Sequence, residues 1–186
     1  MKTPARDRVL DTATRLFYAE GVHAVGIDRI IAEAGVAKAT FYHHFPSKDE
    51  LVRAYIQDQS RRAQNAAAGL RPSTPRANLL SVFDYMGEIG GSPAYRGCPF
   101  VNAAAEYPDP AHPVRQAVAE YRAWFRGLVH TQLVAEGHPD PERTADILMV
   151  LRDGLVIGCD LDDARELRPL IRDAVLRVLG DQPVAG

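Results

Sequence analysis

Apolar side chains recur every three or four residues along most of the chain, a period typical of amphipathic helices. The first such segment covers about residues 4–20 and stops at Gly21. Its apolar face consists of Val9, Ala13, Leu16 and Phe17. We find no alternation of polar and apolar residues of the kind that predicts half-buried strands. The pattern therefore predicts an all-α protein.

Further helices follow from the same period, together with glycine and proline residues at their ends. The predicted ranges are 27–45 with a break at Gly35, 47–69, 75–90, 99 onward until Pro108-Asp109-Pro110, 113–135, 141–158 and 162–179. The last residues, 180–186, are expected to be frayed. About nine helices result.

The segment from Ile27 to Phe45, IDRIIAEAGVAKATFYHHF, predicts a helix-turn-helix. Gly35 lies where the turn needs left-handed backbone, and Phe41 and Phe45, four residues apart, anchor the second helix from inside. The outward residues of that helix are Lys38, Ala39, Thr40, Tyr42 and His43. Lysine and threonine can read base edges, while tyrosine and histidine can donate to phosphate oxygens. Double-stranded DNA is therefore the expected partner.

Lys48 stands in the first turn of the next helix, where the helix dipole disfavours a cation by a few tenths to about 1 kcal/mol. Ser47 and Glu50 form a capping box at this helix start. A DNA phosphate held by Lys48 and the free amides would turn the unfavourable placement into attraction. The alternative is that Asp49 and Glu50 neutralise the lysine.

Charge and cysteine content limit the possible classes of protein. The 186 residues carry a net charge of −2, divided into +1 over residues 1–57 and −3 over residues 58–186. DNA binding must therefore depend on where the charges lie rather than on bulk attraction. Two cysteines make no disulfide framework, and no leader or membrane-length apolar run is found. A soluble, cytoplasmic protein is expected.

The block from Arg8 to Tyr55 resembles the DNA-binding domain of the TetR family of bacterial transcriptional regulators, with IIAEAGVAKATFYHHF followed by PSKDELV. The resemblance implies a three-helix DNA-binding domain at residues 1–47 and a larger helical ligand-binding and dimerisation domain at 48–186. It also implies a dimeric repressor that binds a two-fold operator and is released by a small molecule. Lys48 would then contact phosphate. One departure is Gly26, where the family usually has Ser or Thr as a cap and phosphate contact.

The larger domain is expected to hold an apolar or aromatic effector. The candidate ligand-binding residues are Tyr85, Met86, Cys98, Phe100, Asn102, Tyr107, Trp124, Phe125 and Met149. The eighth and ninth helices have wide apolar faces and are the expected homodimer interface, although burial within one subunit explains part of those faces.

Two other functions remain open on the sequence, and so does activation of transcription instead of repression. Cys98 stands at the start of the sixth helix, where thiols gain reactivity, so the regulator could sense thiol-reactive compounds. A helical interaction protein without DNA binding is the second alternative. Glu106, Asp109 and His112 could be drawn together as a metal site, but the prolines between them indicate an ordinary polar loop. We expect no catalytic residues, no metal and no cofactor.

Overall fold

The computed structural model describes residues 3–71 and 73–180. Every regular element among these residues is an α-helix. The nine helices are α1 (Ala5–Glu20), α2 (Ile27–Ala34), α3 (Lys38–His44), α4 (Lys48–Gly69), α5 (Pro75–Gly90), α6 (Pro99–Glu106), α7 (Pro113–Glu136), α8 (Pro141–Leu161) and α9 (Ala164–Leu179). The all-α prediction is confirmed. The predicted frayed end lies, from residue 181 onward, outside the described residues.

Short polar side chains and prolines set where several helices begin. The Thr74 hydroxyl accepts the amide hydrogen of Ala77 at 3.1 Å, and the Asp140 carboxylate accepts that of Arg143 at 3.3 Å. These bonds satisfy amides that have no partner within the helix. Proline is tolerated directly after such caps because the first helical position needs no amide hydrogen. Four helices start with proline, at Pro75, Pro99, Pro113 and Pro141.

α8 continues past Gly158, where the sequence predicted its end, and stops at Leu161. A Cβ atom on Gly158 would lie 2.6 Å from Cδ2 of Leu167 in α9, which is closer than real contacts allow. This glycine therefore permits close packing of α8 against α9 and does not terminate the helix. The turn that follows is closed by the amide of Asp162, which donates to the Gly158 carbonyl at 2.8 Å.

The chain divides into two compact units. The first contains the described part of Met1–Ala63 together with Pro99–Tyr121, and the second contains the described part of Gln64–Cys98 together with Arg122–Gly186. The first unit therefore includes the predicted DNA-binding domain, most of α4, all of α6 and the start of α7.

In the first unit α1 packs against both α2 and α3. The side chains buried there include Val9, Leu16, Phe17, Ile30, Phe41, Phe45, Leu51 and Tyr55. Phe17 and Tyr55 meet edge to face at 5.8 Å, which joins α1 to α4. Burial of each large apolar side chain contributes roughly 1.5–3 kcal/mol. The predicted inward positions of α1 and the phenylalanine anchors of α3 are confirmed.

In the second unit α5, α8 and α9 pack together around an apolar core that α7 also joins. Its buried members include Leu79, Phe83, Phe125, Leu133, Leu148, Leu155, Val175 and Leu179. Two ion pairs join α5 to α9. The guanidinium of Arg168 lies 3.4 Å from the carboxylate of Glu88, and the guanidinium of Arg172 pairs with the carboxylate of Asp84. Among the described residues, no helix combines the length and apolar content that a membrane span requires.

Candidate nucleic-acid interface

The turn between α2 and α3 has the backbone that the sequence predicted. Gly35 adopts φ 61° and ψ 44°, and nothing lies within 4 Å of the position that a Cβ would take. The left-handed backbone, rather than lack of space, therefore favours glycine. The amides of Gly35 and Val36 donate to the carbonyls of Ala32 and Ile31 at 3.2 and 3.3 Å and close the end of α2.

Arg8 of α1 donates hydrogen bonds to this turn. Its Nε donates to the carbonyl of Ala34 at 3.2 Å, and its Nη2 donates to the carbonyl of Gly35 at 3.3 Å. These are carbonyls at the end of α2, where a cation also complements the helix dipole. These hydrogen bonds fix α2 relative to α1. They were not predicted, because Ala34 and Gly35 lie 26 and 27 residues after Arg8 in the sequence.

The predicted DNA-reading residues lie on α3, which is held from inside by Phe41 at 0% exposure. Lys38, Ala39, Tyr42 and His43 are exposed, and Thr40 is half-buried. The Lys38 ammonium lies 3.3 Å from a carboxylate oxygen of Asp28, and both side chains are mostly exposed. Exposed pairs of this kind contribute little, so Lys38 can exchange Asp28 for a base or phosphate. The exposed set forms one polar face of α3.

Lys48 is the first residue of α4. The helix start is capped by Ser47, whose hydroxyl accepts the amide hydrogen of Glu50 at 3.1 Å. Partial burial lowers the pKa of Lys48 below its usual value, while the carboxylates of Glu106 and Asp49 act in the opposite direction. A half-buried ammonium beside the open amides of a helix start can bind a phosphate group.

Gly26 caps α2 with an extended backbone, φ −80° and ψ 150°, and makes no side-chain hydrogen bond to the helix. The Gly26 carbonyl accepts the first bond of α2, from the amide of Ile30 at 3.3 Å. The helix therefore forms without a polar cap, as expected for glycine. The phosphate contact that a serine hydroxyl would offer there is absent from this sequence.

Three residues considered as a metal site each have a different partner: Glu106, Asp109 and His112. Glu106 binds two amides of the turn between α1 and α2. Asp109 accepts a hydrogen bond from its own loop, and His112 lies 3.5 Å from Asp49. Within the described residues, no group of three or more acidic, histidine or cysteine side chains is arranged to hold a metal ion.

The predicted ligand-binding residues belong to both compact units. Tyr85, Met86, Cys98, Trp124, Phe125 and Met149 lie in the second unit, and Phe100, Asn102 and Tyr107 lie in the first. Phe125 and Met149 are part of the core of the second unit, and Met86 and Trp124 pack against it. Asn102 is exposed. Their role in binding a ligand stays a prediction.

A buried arginine stands out in the second unit. Arg152 is only 1% exposed, and its guanidinium donates to Asp153 at 2.7 Å and to Cys98 Sγ at 3.3 Å. Arg122 donates twice to the same Asp153, at 2.8 Å each. Burial acts to raise the pKa of Asp153, but the bonds from Arg122 and Arg152 outweigh it and hold that pKa below its usual value. Sequence patterns gave no signal for Arg152, which reads as one more surface arginine of α8.

Comparison with known proteins identifies the chain. Residues 9–55 match the family model described as bacterial regulatory proteins, tetR family, and residues 75–175 match that of the tetracyclin repressor-like C-terminal domain. The chain belongs to the TetR family. The TetR resemblance seen in the first helices thus extends over most of the sequence.

Three of the proteins similar to this chain are transcriptional regulators. A TetR-family transcriptional regulator from Streptomyces coelicolor is 43% identical, with a TM-score of 0.85 and 94% of each chain covered. The transcriptional regulator LmrA of Bacillus subtilis is 30% identical over 125 residues, 64% of this chain and 66% of LmrA. The transcriptional activator FasR of Mycolicibacterium smegmatis is 41% identical over 90 residues, 44% of this chain and 40% of FasR.

Membership of the TetR family makes the chain a helix-turn-helix transcriptional regulator. The predictions of a DNA-binding regulator and of a non-enzyme are both confirmed by the family. The predicted DNA contacts of individual residues, including Lys38, Thr40 and Lys48, are not tested by family membership and stay predictions.

Proposed function

We propose that this TetR-family member is a cytoplasmic repressor that binds a two-fold DNA operator as a homodimer and is released by a small molecule. In this proposal residues 1–47 read DNA, and residues 48–186 bind the effector and dimerise. The observation that carries DNA binding is the exposed polar face of α3, which lies between the turn held by Arg8 of α1 and Lys48 at the start of α4.

The proposed dimer interface is a seam along α8. Five exposed residues follow one another at alternating steps of three and four, the spacing of a coiled-coil contact: Ile147, Val150, Gly154, Ile157 and Leu161. Val150 and Leu161 are 72% and 74% exposed, although both are apolar. Gly154, at the centre, has nothing within 4 Å of its missing Cβ, so a second helix can approach closely there. A second copy of the same seam is its natural partner in a two-fold dimer.

Part of the apolar face of α8 is buried within its own unit. Leu148 and Leu155 are 0% and 1% exposed within their own unit, whereas Ile147 is 40% exposed. On α9, the apolar Leu170 is 64% exposed and belongs to the proposed interface. The proposed interface is therefore narrower than the full apolar faces of α8 and α9.

The proposed effector is a small apolar or aromatic molecule, and the residues proposed to contact it stay individual candidates: Tyr85, Met86, Cys98, Phe100, Asn102, Tyr107, Trp124, Phe125 and Met149. It must bind the released conformation more tightly than the DNA-bound one, because equal affinity for both would shift nothing. Operator and effector then weaken each other by the same factor.

The test starts from a duplex that the purified protein selects from a random-sequence library. Fluorescence anisotropy should give salt-dependent binding of that duplex, and sedimentation should give a dimer at micromolar protein concentration. A protein that selects no duplex would support the alternative of a helical interaction protein. A reporter gene placed behind the selected site distinguishes repression from activation, the role that the name of FasR gives to that relative.

A second candidate function is sensing of thiol-reactive compounds through Cys98. The observation that favours it is the hydrogen bond from the guanidinium of Arg152 to Cys98 Sγ. Cysteine side chains beside a cation are among those that react with electrophiles. The sulfur would add to N-ethylmaleimide, forming a carbon–sulfur bond while its proton goes to the maleimide. Treatment should then weaken duplex binding by the wild type and by Cys159→Ser, but not by Cys98→Ser. Equal loss in all three would exclude the role.

A further inference from the structure

Glu106 is the last residue of α6, and its carboxylate binds the turn between α1 and α2. Oε1 accepts the amide hydrogen of Val22 at 2.7 Å, and Oε2 accepts that of His23 at 2.6 Å. The Nδ1 atom of the His23 ring lies 3.0 Å from Oε2. Hydrogen bonds to an ionised carboxylate are roughly twice as strong as neutral ones. Glu106 therefore fixes the segment that leads into α2.

The next residue, Tyr107, contacts the chain after the two helices of the helix-turn-helix, α2 and α3, which we call the reading helices. Its hydroxyl donates to Oδ1 of Asp49 at 3.1 Å, and its ring stacks on that of His23 at 5.2 Å. Burial, and then the bond to Asp49, raise the pKa of Tyr107 above its usual value, so the hydroxyl keeps its proton to a higher pH than an ordinary tyrosine does. Asp49 adjoins Lys48 at the start of α4. Residues 106 and 107 thus hold the chain both before α2 and after α3.

Glu106 has two effects on DNA binding, and they act in opposite directions. The negative charge of Glu106 acts on Lys48, the proposed phosphate contact. A carboxylate so placed repels DNA phosphates and by charge alone should weaken binding. Recognition also needs α2 and α3 to be held close to their productive placement. The hydrogen bonds from the amides of Val22 and His23 to Glu106 restrict the turn that leads into α2.

We infer that Glu106 is a positioning residue for DNA binding: its carboxylate holds the α1–α2 turn, and with it α2 and α3, in the placement that fits duplex DNA. The inference rests on the proposed binding of an operator duplex. Because Glu106 is the last residue of α6, it also connects that helix directly to the turn that leads into α2. The positioning effect outweighs the repulsion of the carboxylate from phosphate.

The experiment compares full-length wild type with Glu106→Gln, Glu106→Asp and the charge-matched control Glu120→Gln, which alters an exposed side chain of α7. Binding of the selected, fluorescein-labelled duplex is measured at several salt concentrations. The Gln variant retains one acceptor oxygen and loses the other, which corresponds to roughly tenfold weaker binding. The Asp variant retains the charge but is one methylene shorter, so it should also bind more weakly. Glu120→Gln should bind as wild type does.

Two further readouts separate positioning from other roles. The slope of log affinity against log salt should stay that of the wild type in both Glu106 variants, because no phosphate contact is lost. Without DNA, amide hydrogen exchange should rise at Val22 and His23 and stay unchanged in α8. Unchanged or tighter duplex binding by Glu106→Gln would overturn the inference, and so would faster exchange throughout the chain. If the wild type selects no duplex, the proposed function fails instead, while exchange at the turn still tests the hold of Glu106.

Discussion

Gly26→Ser and Gly35→Ser form a matched pair of substitutions at the two ends of α2. Both glycines have open space where a Cβ would lie, with nothing within 4 Å. They differ in backbone, since Gly26 is extended at φ −80° whereas Gly35 is left-handed at φ 61°. The same new side chain should therefore stabilise the fold at Gly26 and destabilise it at Gly35.

The magnitudes follow from the two backbones. At Gly26 a serine hydroxyl can cap α2, which contributes a few tenths of a kcal/mol over glycine. Replacing glycine also restricts the unfolded chain, which contributes about 0.4–1 kcal/mol. Gly26→Ser should thus raise the free energy of unfolding by about 0.5–1.5 kcal/mol. At Gly35 the left-handed backbone costs a side chain about 1–2 kcal/mol, so the net loss is about 0.5–1 kcal/mol.

Thermal unfolding followed by far-ultraviolet circular dichroism measures both changes. For a chain of this length each kcal/mol moves the midpoint by roughly 2–4 °C, upward for Gly26→Ser and downward for Gly35→Ser. The serine at position 26 also adds a hydroxyl at the start of α2, where the family resemblance implies a phosphate contact, so we expect duplex binding to tighten. Midpoints that move in the same direction would show that backbone conformation does not decide the effect at these glycines.

Three other substitutions test the proposals and the core. Lys48→Ala should weaken duplex binding and lower the salt slope by about 1, and an unchanged slope would remove Lys48 from the phosphate contacts. Val150→Asp should convert the dimer to a monomer in sedimentation, whereas Val134→Asp, at an exposed apolar residue of α7, should leave it dimeric. Asp153→Asn removes the carboxylate shared by two guanidinium groups and should lower the free energy of unfolding by about 2–3 kcal/mol in denaturant titrations. Asp146→Asn, in an exposed pair on the same helix, should change it little. Because the pKa of Asp153 is depressed on folding, its contribution is full above the ordinary value of about 3.9 and is lost as pH falls through the folded value.

The helix-turn-helix of α2 and α3 could be predicted from the sequence, because the residues that determine it lie close to one another along the chain. Gly35, Phe41 and Phe45 act within one or two helical turns of their own positions, and the periodic apolar residues need only neighbours three or four positions away. The helix boundaries followed from capping residues and prolines for the same reason. Gly158 was misread because a glycine that terminates a helix and one that allows close packing look alike in sequence.

The residues that hold the helix-turn-helix in place could not be predicted in the same way. Arg8 binds carbonyls at the end of α2, and Glu106 binds amides 84 and 83 residues before it. Both use ordinary charged side chains on backbone atoms, which leave no pattern in the sequence. Arg152 is similar, because burial of its guanidinium beside Cys98 depends on how α8 packs and not on the residues next to it.

The hold of Glu106 on the α1–α2 turn sets a rule for protein engineering. If residues 1–69 of this chain were joined to another protein, the carboxylate that accepts hydrogen bonds from Val22 and His23 would stay behind on α6. A chimaeric regulator should therefore carry residues 99–121 together with residues 1–69, since those residues complete the same compact unit. In this chain the portable DNA-reading module is discontinuous in sequence.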